Sequence, residues 1–153
     1  MKVSAKTNLL NLIAAAFIFL FTYTALSKLT GFASFKATLQ ESPLIKDYAS
    51  VLAYALPVTE LVISGLLFIP YTRMAGLYST LALMILFTGY IGYMLVFTPN
   101  LPCSCGGVLK QLSWKQHLLF NIFFTFLAAA AIWLQKRIKT GAAENLKQSR
   151  QFY

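Results

Sequence analysis

The stretch MAGLYSTLALMILFTGYIGYMLVF, residues 74–97, decides how this chain folds. It carries no charged side chain and is longer than the roughly 20 residues a helix needs to cross a hydrocarbon core of about 30 Å. Arg73 stands just before it, and Pro99 and Pro102 close it. Three more apolar runs surround it: Leu9 to Leu26, Tyr48 to Ile69, and His117 to Leu134. The second contains Pro57 and a single acid, Glu60, and Pro70 stops it. Only Tyr71 to Arg73 then links it to the third, so short a connection that the two helices must be antiparallel. Ser113 followed by Gln116 has the spacing of a capping box and opens the fourth run, which ends in the polar, basic stretch Gln135–Lys139.

The expected fold is therefore an all-α membrane protein, a four-transmembrane-helix bundle occupying residues 1–139. Residues 140–153 read as a polar, loosely helical cytoplasmic tail. Between the first two spans, Phe32, Phe35 and Leu39 recur at helical spacing until Ser42-Pro43 breaks the pattern. That spacing predicts a short interfacial helix lying across the mouth of the bundle.

Composition agrees. Of 153 residues, 58% are hydrophobic and 11% charged, about half the charged share of a soluble domain. With most residues committed to spans, no room is left for a separate soluble catalytic domain. The formal charge of +9 would suit a nucleic-acid binder, but the cations flank the apolar runs and do not line one face of a soluble helix, which argues against that partner. Lys2 and Lys6 would also suit a secretory leader. The first run is too long for one, and no A-x-A-like site follows Thr24, so an uncleaved span is expected. An even number of crossings puts both termini on one side, with Lys2, Lys6, Arg73, Lys136, Arg137, Lys139, Lys147 and Arg150. Lys28, Lys36, Lys46, Lys110 and Lys115 fall on the other. The excess favours cytoplasmic termini and an outward loop after the third span.

That loop holds both cysteines of the chain, Cys103 and Cys105, followed by Gly106 and Gly107. One intervening residue allows only a strained disulfide ring, and strain makes a disulfide easier to exchange. The glycines leave room for another protein's thiol, while Lys110, Lys115 and the start of the fourth helix favour the thiolate, the attacking species. A redox-active pair is the reading these features favour. A soft-metal site for copper(I), drawing on His117 and the four methionines, and a merely structural pair both stay open. A closed zinc site would need four ligands, which this loop does not supply.

Two further polar features lie inside the apolar runs. A charge at the position of Glu60 costs on the order of 2–3 kcal/mol to insert, so such an acid is expected to face the protein interior, either protonated or as a partner of Lys28, a tyrosine or His117. Pro57, one turn earlier, frees backbone groups there. On the fourth helix His117, Asn121 and Thr125 recur every four residues as one polar stripe, and His117 has the chemistry to pass a proton to or from a thiol or a quinone. Glu60, His117 and Asn121 are thus candidates for proton transfer or quinone contact, beside the plainer readings of helix glue and a surface histidine.

Taken together, Lys28-Leu29 after the first span, Ser42-Pro43 before the second, Pro57-x-x-Glu60 within it and Cys103-Ser-Cys-Gly-Gly before the fourth resemble the MauE branch of the DoxX-like membrane proteins, over about residues 9–135. The resemblance implies a bacterial inner-membrane four-helix protein linked to methylamine utilisation and to maturation of a disulfide-rich enzyme subunit. It also implies a periplasmic thioredoxin-like partner or client, with Cys103 and Cys105 as the exchanging pair. Quinone-linked disulfide oxidases of similar architecture carry two cysteine pairs, and this chain has one, so a partner protein or a bound quinone would have to complete any cycle. Two other functions stay open: a non-catalytic scaffold packing through Gly89, Gly92 and Ala128–Ala131, and a quinone-linked sulfur-compound oxidoreductase subunit of the DoxX type.

Overall fold

The structure, a computed structural model, describes residues 2–97 and 114–150, with side chains over residues 5–97 and 115–143. Five helices follow one another: α1 (Lys2–Thr30), α2 (Phe32–Glu41), α3 (Ala49–Phe68), α4 (Arg73–Phe97) and α5 (Trp114–Arg150). A single 3-10 turn, Lys46–Tyr48, leads into α3. Four of them are long and apolar enough to cross a membrane, over Ala5–Thr30, Lys46–Phe68, Arg73–Phe97 and Lys115–Ala143. Helix α1 packs on α3, α3 on α4, α4 on α5 and α5 back on α1, which closes the ring.

Each long helix buries one stripe and turns the rest of its apolar surface outward. On α1 the stripe is Leu10, Ile13, Phe17, Phe21 and Ala25. On α3 it is Ala49, Ala53, Pro57, Glu60, Ser64 and Leu67. Phe17 and Phe21 meet Ile63 and Leu67, Leu77 and Met84, and Ala128 and Ile132 in one continuous core. Outside it, Phe19, Val51, Phe68, Leu86, Val96 and Phe126 are exposed on all four helices. No more than a third of any span is buried against the rest of the chain. Apolar side chains on the outside as well as within suit a lipid solvent, where helices are held together by packing and polar contacts.

The turn between α3 and α4 shows how close the packing is. The Thr72 hydroxyl donates to the Leu66 carbonyl at 2.9 Å, and Arg73 Nε donates to that of Leu67 at 3.4 Å, satisfying carbonyls left free where α3 ends. Gly76 then lies against the α3 backbone: an added Cβ would meet Leu67 N at 3.0 Å and Leu66 C at 3.1 Å. Gly89 and Gly92, expected to serve close helix packing, have no atom within 4 Å of such a Cβ. A side chain at either position would meet open space among the described residues. Ala128 and Ala131, by contrast, are fully buried in the core, while Ala129 and Ala130 face outward.

The short helix predicted between the first two spans is α2. Phe35 and Leu39 are buried with Ala49 and Ala53 of α3, and Phe32 packs against the same cluster. Its C-terminal Ser42, read as part of a breaker, is fully buried. Helix α5 runs past the expected end near residue 139 and stays helical to Arg150. The chain end reads as a tail because it is polar, but Ala142, Ala143, Leu146, Lys147 and Gln148 are good helix formers and continue a helix already nucleated. The proposed capping residue Ser113 lies outside the described residues.

Candidate functional site: a buried ion pair where five helices meet

The inward stripe of α1 continues one turn beyond Ala25 to Lys28, and that of α3 passes through Glu60. Helical periodicity thus aims an ammonium and a carboxylate into the same space. Lys28 Nζ lies 2.5 Å from Glu60 Oε1, with the carboxylate side chain only 1% exposed and the lysine 12%. Two rings flank the ammonium, Phe35 of α2 with its centroid at 5.8 Å and Phe87 of α4 at 5.9 Å. At those distances a ring face attracts a cation. From α5, His117 is half-buried and within electrostatic range of Lys28. The four other helices therefore each contribute a residue near this one lysine of α1.

The carboxylate is incompletely satisfied. Glu60 Oε2 is buried and has no hydrogen-bond partner among the described residues. A buried carboxylate oxygen without a donor is costly, so this atom is where an incoming O–H or N–H group would gain most. The arrangement can hold a charge pair out of water, accept one more hydrogen bond, and exchange a proton with a donor brought alongside.

The polar stripe of α5 faces inward. Asn121 is buried, and its Nδ2 donates to the His117 carbonyl at 3.0 Å. Thr125 donates to the Asn121 carbonyl at 2.7 Å, and its hydroxyl lies 3.2 Å from that of Thr88 on α4. Asn121 therefore holds the first turns of α5. Of these candidates it is Glu60 that the fold pairs directly with Lys28, while His117 lies half-buried at the start of α5. Cys103 and Cys105 lie outside the described residues, as does Lys110; their segment joins Phe97 at the end of α4 to Trp114 at the start of α5. Lys115 is exposed at that start.

A latch ties the short helix across this end. Tyr90 OH donates to Ser42 Oγ at 2.9 Å, and Ser42 Oγ donates to Met94 Sδ at 3.9 Å. Sequence reading missed Ser42, Phe35 and Phe87 as parts of the site. The available signal was register: Phe87 falls on the α4 stripe with Thr80, Met84 and Ile91.

Fold and site together define a multi-pass membrane protein, a four-span bundle whose one salt bridge among the described residues is buried beneath a short covering helix. The family follows from comparison: residues 6–134 match the model of methylamine utilisation protein MauE. The match covers most of the chain, and the chain belongs to the MauE family. No curated protein and no solved structure matches it.

Proposed function

We propose that this MauE-family chain exchanges electrons between Cys103/Cys105 and a periplasmic thioredoxin-like or client protein. It would do so from the bacterial inner membrane with both termini cytoplasmic. The observation that carries the reading is the convergence of α1 to α5 around Lys28 and Glu60, in the half of the bundle where α4 stops and α5 starts. The sequence between those two helix ends is the cysteine segment. The orientation is supported by charge. With Lys28 tied to Glu60, Lys36, Lys46, Lys110 and Lys115 remain on the outer side against eight cations on the other.

In the exchange, the Cys103 thiolate attacks a partner disulfide, forming a mixed disulfide and releasing the partner's second sulfur. Cys105 then displaces the partner, which leaves as a dithiol while this chain closes its own disulfide. Two electrons and two hydrogens pass, and the reverse sequence oxidises the partner. Since the chain has two cysteines, regeneration falls to a second protein or to a quinone. A quinone headgroup suits the groups around Lys28: the lysine can donate, Glu60 Oε2 can accept, and Phe35 and Phe87 can flank a ring. Glu60 and His117 would move the protons.

Trapping the thiols by alkylation in intact cells tests the reading: Cys103 and Cys105 should be found partly oxidised and shift with the redox state of the partner. Unchanged client oxidation in a Cys103→Ser/Cys105→Ser variant eliminates it. A scaffold role is favoured by one observation, the open surface around Gly89 and Gly92, which a partner helix could approach closely. Loss of complex assembly in Gly89→Leu, with client oxidation intact in the cysteine variant, would support it.

A further inference from the structure

The opposite end of the bundle carries a separate arrangement of charge. Lys6, Arg73, Lys136, Arg137 and Lys139 gather where α1 and α4 begin and the apolar part of α5 ends. None of them has a carboxylate within salt-bridge distance among the described residues. The chain's acids are four; Glu41, Asp47 and Glu60 belong to the other half of the bundle, and Glu144 follows on the α5 extension. Arg73 is used structurally, its Nη1 donating to Asn11 Oδ1 of α1 at 2.9 Å.

Two of the remaining cations are held in place by aromatic rings. Lys136 Nζ lies 5.7 Å from the ring centroid of Tyr78, bridging α5 to α4. The Arg137 guanidinium lies 4.8 Å from the ring of Trp133, one turn earlier on the same helix. Both rings are about half exposed, Tyr78 at 47% and Trp133 at 58%. Such half-exposed rings belong at the level where acyl chains give way to headgroups. Restraining a long side chain before binding removes part of the entropy an anion would otherwise have to overcome.

We propose that this end of α5, from its seam with α4 at Lys136 and Tyr78 to its exposed Trp133 and Arg137, binds the phosphate of an anionic phospholipid. Lys136 and Arg137 supply the charge, and Tyr78 and Trp133 flank the glycerol and upper chains. The lipid is the occupant because the cations sit on rings at the boundary of the apolar surface, where a headgroup phosphate is delivered by the bilayer itself. Basic positions between transmembrane helices select such headgroups, each cation near the surface adding roughly a five-fold preference.

The test uses the full chain in phosphatidylcholine vesicles with and without phosphatidylglycerol, reading the lipids retained after mild extraction by mass spectrometry. Phosphatidylglycerol should be enriched over phosphatidylcholine beside the wild-type chain. Lys136→Gln/Arg137→Gln should lower that enrichment by about thirty-fold, the product of two such contributions. Lys36→Gln/Lys46→Gln, which removes the same charge from the other end, should leave it nearly unchanged. Equal losses in the two double variants would show bulk attraction and overturn the site. So would displacement of the lipid by soluble glycerophosphoglycerol at matching concentration, which would make the seam a general anion site.

Discussion

Lys28 and Glu60, 32 positions apart, join α1 to α3 through a charge pair with the carboxylate almost wholly buried. A pair of this kind contributes less than its geometry suggests, because both ions have left water, but removing one partner strands the other. Lys28→Met should therefore destabilise the bundle by about 3 kcal/mol, whereas Lys28→Met/Glu60→Leu should recover most of that loss. Thermal unfolding in micelles reads the difference. A double variant no better than the single would show that the carboxylate is not stranded.

Gly76 makes a steric prediction. Two of the three atoms that an added methyl would strike, Leu67 N and Leu66 C, belong to the α3 backbone and cannot rotate away; the third is Leu67 Cδ2. Gly76→Ala should cost about 1–3 kcal/mol by overpacking. Gly89→Ala meets nothing and should be neutral or stabilising by up to about 1 kcal/mol, the ordinary helix preference for alanine. Comparing the two in one unfolding assay removes any general effect of losing a glycine.

The latch at Ser42 should govern the mobility of α2. Ser42→Ala removes the acceptor for Tyr90 OH and the donor to Met94 Sδ, at a net cost of about 1 kcal/mol. The local consequence should exceed the global one. Amide hydrogen exchange should accelerate over Phe32–Glu41, with little change in Leu77–Met84, which pack in the other core.

For the proposed thiol chemistry, Cys105→Ser should accumulate a mixed disulfide through Cys103, visible as a reducible adduct on non-reducing gels. Cys103→Ser should not. The reverse pattern would assign the attacking sulfur to Cys105, and an absence of adduct in both would count against exchange.

Most of the architecture is legible in the sequence because lipid imposes a simple rule: long runs without charge must be helices. Glu60 was visible for the same reason, as the one acid in such a run, and the need to neutralise it named Lys28 among its candidate partners. What could not be read was the third dimension of the site. Nothing in the order of residues brings Phe35 and Phe87 to one ammonium; that takes the α2 crossing and the α4 register together. Ser42-Pro43 does end α2, with Ser42 extended at its C-cap, but a breaker dipeptide carries no sign that the hydroxyl is enclosed by Tyr90 and Met94. Gly89 and Gly92 carry a packing signature that no neighbour within the described residues uses, and their open edge of α4 stays available to a partner helix. Gly76, which is used, has no spacing that distinguishes it.

Helix α5 is a single piece of secondary structure of about 55 Å at 1.5 Å per residue, longer than the hydrocarbon layer is thick. Sharp bends in helices need a proline, a glycine or a bulge, and from Trp114 to Thr140 the sequence supplies neither proline nor glycine. The rod therefore has no joint. One continuous helix thus links the turn that holds His117 to the turn that holds Lys136 and Arg137, a shaft without an obvious hinge residue between the two charged ends of the bundle.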